Sequence, residues 1–378
     1  MNADAGNAER FLVQERGIFW WADEAVPPDQ FTPDSAINGD LRISYEGKIT
    51  IDLDGFLTPG THPFFALGTS DDPLLRTRQI QGLLRKSNKR VLLFDLSRRG
   101  GRSATANISF EGFMALHCLV GDRNFPKQKG NVIFRYVDVD LTGFEEWLRV
   151  SSIHVERGKV ALHAHYHHPK NIDYHLSNGK LSVIYDLSGP LFAKTRHSSL
   201  ALTESVILRF KRDETVTIEE AEADYRILQD LFIMLTDSSY NLDWPTAAIT
   251  DQHHYKLYFY RDTNSASPPG AHECLTNFVQ IKDNFGALFS VWRAKRESFG
   301  PGFYLYLGTR RGRLLYPEHR FIMLIWGIET FHRKKYGSKK STSASRKMDR
   351  ILGNITNNKD KQFAKYWLRH SLEPNLEQ

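Results

Sequence analysis

The sequence predicts an α+β protein: a β-rich antiparallel body, folded as a sandwich or open barrel with added helices, then a basic α-helical C-terminal segment. Three observations carry that expectation. Up to about residue 200, short runs alternate apolar and polar residues between turn-forming pairs. Between about 200 and 300, helical and strand-like spacings mix. Beyond Pro301 the spacing is helical and the charge changes sign. Residues 301–378 hold 16 Lys+Arg against 6 Asp+Glu, a balance of +10, so residues 1–300 hold 34 against 38, or −4. The expected division is therefore 1–300 and 301–378.

Residues 39–54 (GDLRISYEGKITIDLD) alternate on both sides of Glu46-Gly47, a hairpin signal. Residues 89–96 (KRVLLFDL) are a short apolar run, and Gly100-Gly101 beyond it predicts a turn. Residues 107–120 predict two strands broken at Gly112, and 131–141 one strand alternating through Ile133, Arg135, Val137 and Val139. Residues 159–168 and 180–187 predict a pair joined through a turn at Asn178-Gly179. Many short strands with frequent turns favour an antiparallel architecture. Residues 217–237 (TIEEAEADYRILQDLFIMLTD) place acids in the first turns and Leu228, Leu231, Phe232 and Leu235 at helical spacing. Residues 254–260 return to strand, and 284–295 predict a helix. Pro301-Gly302 punctuates the chain, and residues 310–313 (RRGR) predict a basic turn. Phe321, Leu324, Ile325, Ile328 and Phe331 again recur at helical spacing. Residues 337–347 predict a polar loop, and 350–355 and 362–372 two short helices.

Composition narrows the class. No apolar run approaches the roughly 20 residues a membrane helix needs, and the N-terminus lacks the basic-then-apolar pattern of a secretion signal. Cys118 and Cys274 are the only cysteines, too few for a disulfide framework or a Cys-based zinc site. A cytoplasmic, reducing setting is expected. The basic C-terminal stretch predicts an anionic partner, with RNA or DNA the usual one, against a merely solvated surface.

Several side-chain groups invite chemistry. His163, His165 and His167 share one face if residues 162–167 form a strand, a spacing that suits transition metals. Leu162, Ala164 and Tyr166 alternate with them and suit a buried face, so a solvent-facing polar side is favoured and no metal is expected. Asp52 with Asp54, and Asp138 with Asp140, border turns where Asp serves the backbone. Arg98, Arg99 and Arg102 around the glycine pair resemble an Arg-Gly segment only faintly. In the C-terminal segment, Arg310 and Arg311 precede the apolar helix, and Arg333, Lys334 and Lys335 end it. These five are the candidate RNA-binding residues, although cations also suit a helix C-terminus. Glu329, within an apolar stretch, is expected to be a structural carboxylate paired with a neighbour such as Arg333.

A family resemblance gathers these features. Trp20-Trp21, then Ile37-Asn38-Gly39-Asp40-Leu41, then residues 47–55 (GKITIDLDG) resemble the opening of the ApeA-type N-terminal domain. Residues 141–148 (LTGFEEWL) and 242–245 (LDWP) suit the same pattern. Residues 321–336 (FIMLIWGIETFHRKKY) resemble the first helix of an ApeA-like HEPN domain. The resemblance implies an anti-phage defence protein of the abortive-infection kind, whose N-terminal domain senses a trigger, with a phage-derived one among the expected partners. It implies a metal-independent, cofactor-free HEPN endoribonuclease that cleaves RNA, tRNA among the expected targets, as a homodimer or higher oligomer. Such nucleases use an Arg to stabilise charge on the phosphate and a His to manage the proton of the 2′-hydroxyl or the leaving oxygen. Arg313 and His319, separated by LLYPE, have matching spacing. They precede the first HEPN-like helix rather than lying on a late one, and the helices after Pro301 are too few for a complete bundle. The expectation is thus a domain cut short, with the true motif beyond the chain end. The alternative is a non-catalytic ligand- or RNA-binding and dimerisation module.

Overall fold

Alternation becomes strand from the start. The computed structural model describes residues 11–57, 77–103, 109–126, 132–160, 162–189, 201–261, 267–311, 316–336 and 342–368. In β1 (Phe11–Trp21) every second residue is exposed at first, and Phe19, Trp20 and Trp21 are buried at its end. β2 (Ile37–Ser44) and β3 (Ile49–Leu53) form the expected hairpin. Gly47 in its turn has φ +80°, and a Cβ there would lie 2.0 Å from the Phe259 carbonyl oxygen, so the turn requires glycine. With β4 (Ile80–Leu84), β5 (Arg90–Ser103) and β6 (Ser109–Gly121) the strands run β6-β3-β2-β1-β4-β5, and β5 pairs with β6 to close a barrel. Leu41, Ile43, Ile51, Leu93 and Phe113 alternate into its core.

A second sheet grows from the same β6. On one edge, β6 pairs with β3 over residues 111–115 and then with a later strand over 117–120. β7 (Tyr136–Asp140) and the short helix α1 (Glu145–Leu148) precede a separate two-stranded ribbon, β8 (Ile153–Arg157) with β9 (Leu162–Tyr166). β10 (Ile172–Leu176), β11 (Gly179–Ser188) and β12 (Thr203–Arg212) follow, then helix α2 (Ile218–Thr236), then β13 (Thr246–Thr250) and β14 (His253–Phe259). The order β10-β11-β12-β7-β13-β14-β6 makes barrel and sheet one continuous antiparallel unit.

α2 is the helical centre of the core. Its start is a capping box: the Glu220 amide donates to the Thr217 hydroxyl oxygen at 3.3 Å, and the Thr217 amide donates to the Glu220 carboxylate at 2.9 Å. Thr217→Ala is expected to cost about 1 kcal/mol in a urea melt. Leu228, Leu231, Phe232 and Leu235 are buried as their spacing predicts. Helices α3 (Phe278–Ile281) and α4 (Phe285–Lys295) add Phe278, Phe285 and Phe289 to the same core. Four more follow: α5 (Pro301–Arg310), α6 (Pro317–Tyr336), α7 (Thr342–Gly353) and α8 (Asn358–Leu368). Among the described residues no helix is long and apolar enough to cross a membrane.

The structure differs from local expectation at several points. Gly100-Gly101 is no turn: β5 runs through it, with a bulge between Arg98 and Gly100. Gly112 breaks nothing, because β6 is continuous there. Each glycine pairing is supplied by a neighbouring barrel strand, which overrides weak local propensity. The turn at Asn178-Gly179 joins β11 to β10, whereas β9 pairs with β8. Leu162 and Ala164 are exposed because, among the described residues, nothing covers that face of the ribbon. The strand expected over 131–141 is confined to Tyr136–Asp140, with Phe134 bridging Val216. Pro301-Gly302 opens α5 instead of separating elements, since proline at the first helical position loses no hydrogen bond. The loop expected over 337–347 is helical from Thr342, and residues 337–341 lie outside the described residues.

Candidate functional site

Three acids of α2 organise the junction between the body and the following helices. Asp224 and Asp230 lie on α2, and Asp237 caps its C-terminal end. Asp224 is buried and takes Arg212 at 2.8 Å and Arg293 of α4 at 3.1 Å. Asp230 has 0% of its side chain exposed and is clasped by Arg296 and Arg311. Asp237, the left-handed C-cap of α2, pairs with Arg310 at 3.1 Å. Asp230, Ile233 and Asp237 follow i, i+3, i+7 spacing and so share one face. Ile233 packs there against Phe303 and Leu307 of α5. The indole N–H of Trp292 donates to the Ile227 carbonyl at 2.9 Å, and its ring meets Phe303 edge-on. An isolated buried carboxylate would be costly; two guanidiniums make Asp230 tolerable and fix α5 to α2.

α5 and α6 form an antiparallel hairpin. They touch at Gly302 and Gly327, where a Cβ on Gly302 would lie 2.4 Å from the Gly327 carbonyl oxygen. Farther along, Gly308 faces Met323, and at the other end Lys334 lies beside Gly300. Arg310 and Arg311 therefore stand at the opposite end of α5 from Arg333, Lys334 and Lys335, about 15 Å apart along the helix. Glu329 accepts from Arg333 at 2.6 Å, one turn on. His319 is exposed in the first turn of α6, its ring edge-on to Tyr316. Arg313 lies outside the described residues. The apolar stripe of α6 is uncovered among the described residues: Phe321 is 65% exposed, and Trp326 and Ile328 are 58% exposed. Phe363, Tyr366 and Trp367 on α8 are likewise exposed.

A second junction ties α2 to the barrel. His117 of β6 is nearly buried, with Nδ1 2.9 Å from Asp95 of β5 and Nε2 2.7 Å from Glu222 of α2. Glu222 also takes Arg226 at 2.6 Å. Burial alone would lower the imidazole pKa, but the hydrogen bonds and charges of Glu222 and Asp95 outweigh it and raise it above the usual 6.5. Glu222 is correspondingly held below the ordinary carboxylate range, against its own burial, by His117 and Arg226. A raised folded-state pKa stabilises fully below the unfolded pKa of about 6.5, and this contribution fades as pH rises through the folded value. Wild type is therefore expected to lose its stability margin over His117→Gln as pH rises above about 6.5 in urea melts.

The histidines of β9 lie on the exposed ribbon. His165 faces His154 across it, His163 faces Glu156, and the rings of His163 and His165 stack at 6.1 Å. Among the described residues no three His, Cys, Asp or Glu side chains converge as a metal would require. The paired aspartates are engaged: Asp52 by Arg42, Asp54 by Arg16, and Asp138 by Arg209. Arg98 is held by Glu111 at 2.7 Å. Sequence reasoning singled out none of Asp224, Asp230 or His117. The acids had a signal in their helical spacing, whereas His117 is one polar residue on the buried side of an ordinary strand.

Residues 15–292 match the family described as ApeA N-terminal domain 1. The matched stretch takes in both sheets and α2, and ends within α4 just before Arg296. No curated protein and no solved structure matches the chain.

Proposed function

From the premise that this chain belongs to the ApeA N-terminal domain family, an anti-phage defence family, we propose that the body senses infection and governs a ribonuclease module of the HEPN type to which the helices from Pro301 onward belong. The observation that carries this reading is the junction on α2. A loosely tethered tail would need no buried carboxylate at its root, yet Asp230 is held by one arginine before α5 and one at its end. A change in the body that moves α2 would therefore be felt by α5 and α6.

In this reading the protein acts in the cytoplasm on RNA, in response to a phage-derived trigger. Arg313 stabilises phosphate charge and His319 handles the 2′-hydroxyl or leaving-group proton, without metal. Arg333, Lys334 and Lys335 bind the RNA backbone, with Arg310 and Arg311 divided between RNA and their carboxylates. The uncovered apolar faces of α6 and α8 support assembly with a second copy through the helical segment.

Incubating the chain with tRNA and with unstructured RNA, with and without EDTA, tests the proposal. Cutting that persists in EDTA is expected, and His319→Ala or Arg313→Ala is expected to slow it by about 10²–10⁴-fold. Salt-sensitive RNA binding without any cutting would instead support a non-catalytic binding and dimerisation module.

A further inference from the structure

Beside the Asp230 junction lies a small cavity with an unusual charge. It is lined by Arg226, Arg261 and Arg311, with Gln229, Ser239 and Asn241, and among the described residues no acidic one lines it. Two of the arginines have carboxylate partners outside the lining: Arg226 pairs with Glu222, and Arg311 with Asp230. Arg261 has none among the described residues. It is half-buried, 3.7 Å over the Trp244 ring, and donates only to neutral oxygens, the Tyr225 hydroxyl at 2.7 Å and the Leu242 carbonyl at 2.8 Å. Its Nε–H is buried without an acceptor among the described residues. Burying a guanidinium without a counter-charge is costly unless something else supplies one.

We infer that this cavity binds the phosphoryl group of a small phosphate ester, such as a mononucleotide, with Arg261, Arg226 and Arg311 as its charge partners. Guanidiniums match phosphate oxygens as paired N–H donors, and Ser239 and Asn241 add neutral donors at the rim. The cavity measures about 20 Å³, a little more than the roughly 10–15 Å³ one water occupies. That admits one phosphoryl oxygen and leaves the rest of the group, with its ester, in the open mouth beside the arginines. The three arginines come from separate places: α2, the end of β14, and the end of α5. A bound phosphoryl group would share Arg311 with Asp230 and so bear directly on the junction. The inference concerns a ligand site and stands whether or not the helical segment cuts RNA.

The test is calorimetric titration of the full chain with inorganic phosphate and with adenosine 5′-monophosphate, at constant ionic strength, backed by thermal melting. Saturable binding is expected, with Arg261→Gln and Arg226→Gln each weakening it by about tenfold or more. Arg157→Gln, on the exposed ribbon, should leave it unchanged. Tighter binding of the nucleotide identifies an ester as ligand; equal binding identifies the free anion, and both support the phosphoryl site. Arg261 also holds the Leu242 carbonyl, so if Arg261→Gln does not fold, Arg226→Gln decides the matter. Absence of saturable binding by either compound, or binding untouched by Arg226→Gln, would overturn the inference.

Discussion

Asp230→Ala is expected to destabilise the protein by about 3–5 kcal/mol, the range for removing one partner of a buried charge pair. The carboxylate is fully buried and faces two guanidiniums, Arg296 and Arg311, which its loss would leave confronting each other. Arg296 keeps a contact to exposed Glu297 at 3.3 Å, a weak substitute. The loss should show in urea melts and as faster proteolysis beyond residue 295. Asp237→Ala provides the internal comparison. Its pair with Arg310 is about a third exposed on both sides, so its loss should cost no more than about 1 kcal/mol.

Phe232→Ala is expected to cost about 3–5 kcal/mol as well, for a different reason. The ring is fully buried, edge-on to Phe144 at 4.8 Å and tilted against Trp147 at 4.8 Å. Trp147 in turn meets Phe278 and Phe285. Removing the ring opens a void where α1, α2, α3 and α4 meet, and rigid aromatic neighbours cannot collapse into it. Phe232→Leu, which keeps most of the volume, should cost less. The contrast with Asp230→Ala is spatial. Loss of Phe232 should lower the whole body's urea midpoint, whereas loss of Asp230 should expose α5 and α6 first.

How much of this was legible depends on which interactions are local. The β2–β3 hairpin, α2 and α4 are written in nearby residues: Gly47 at the turn, Thr217 with Glu220 at the cap, apolar residues at helical spacing. β4 (IQGLL) and β13 (TAAIT) are five residues each, too short to establish a period. The long strands β5 and β6 carry glycines that locally resemble turns, and only barrel closure holds them extended. The candidate site divides in the same way. The acids of α2 are visible as helix residues, but the partners of Asp230 lie 66 and 81 residues downstream, and no local pattern pairs them. Arg310 and Arg311 therefore stand out in sequence as part of a basic run, while the fold turns both toward carboxylates of the body. The apolar stripe of α6 was visible at full strength, yet much of it remains uncovered among the described residues.

The central claim is that the defence-family body and its helical segment form one mechanically coupled unit through Asp230. Hydrogen exchange of the full chain, read over residues 301–310 in wild type and Asp230→Ala, tests this most directly. The account predicts slow exchange in wild-type α5 and fast exchange in the variant, with α2 still protected. Wild-type α5 exchanging as fast as a free peptide, or unchanged by the substitution, would contradict it.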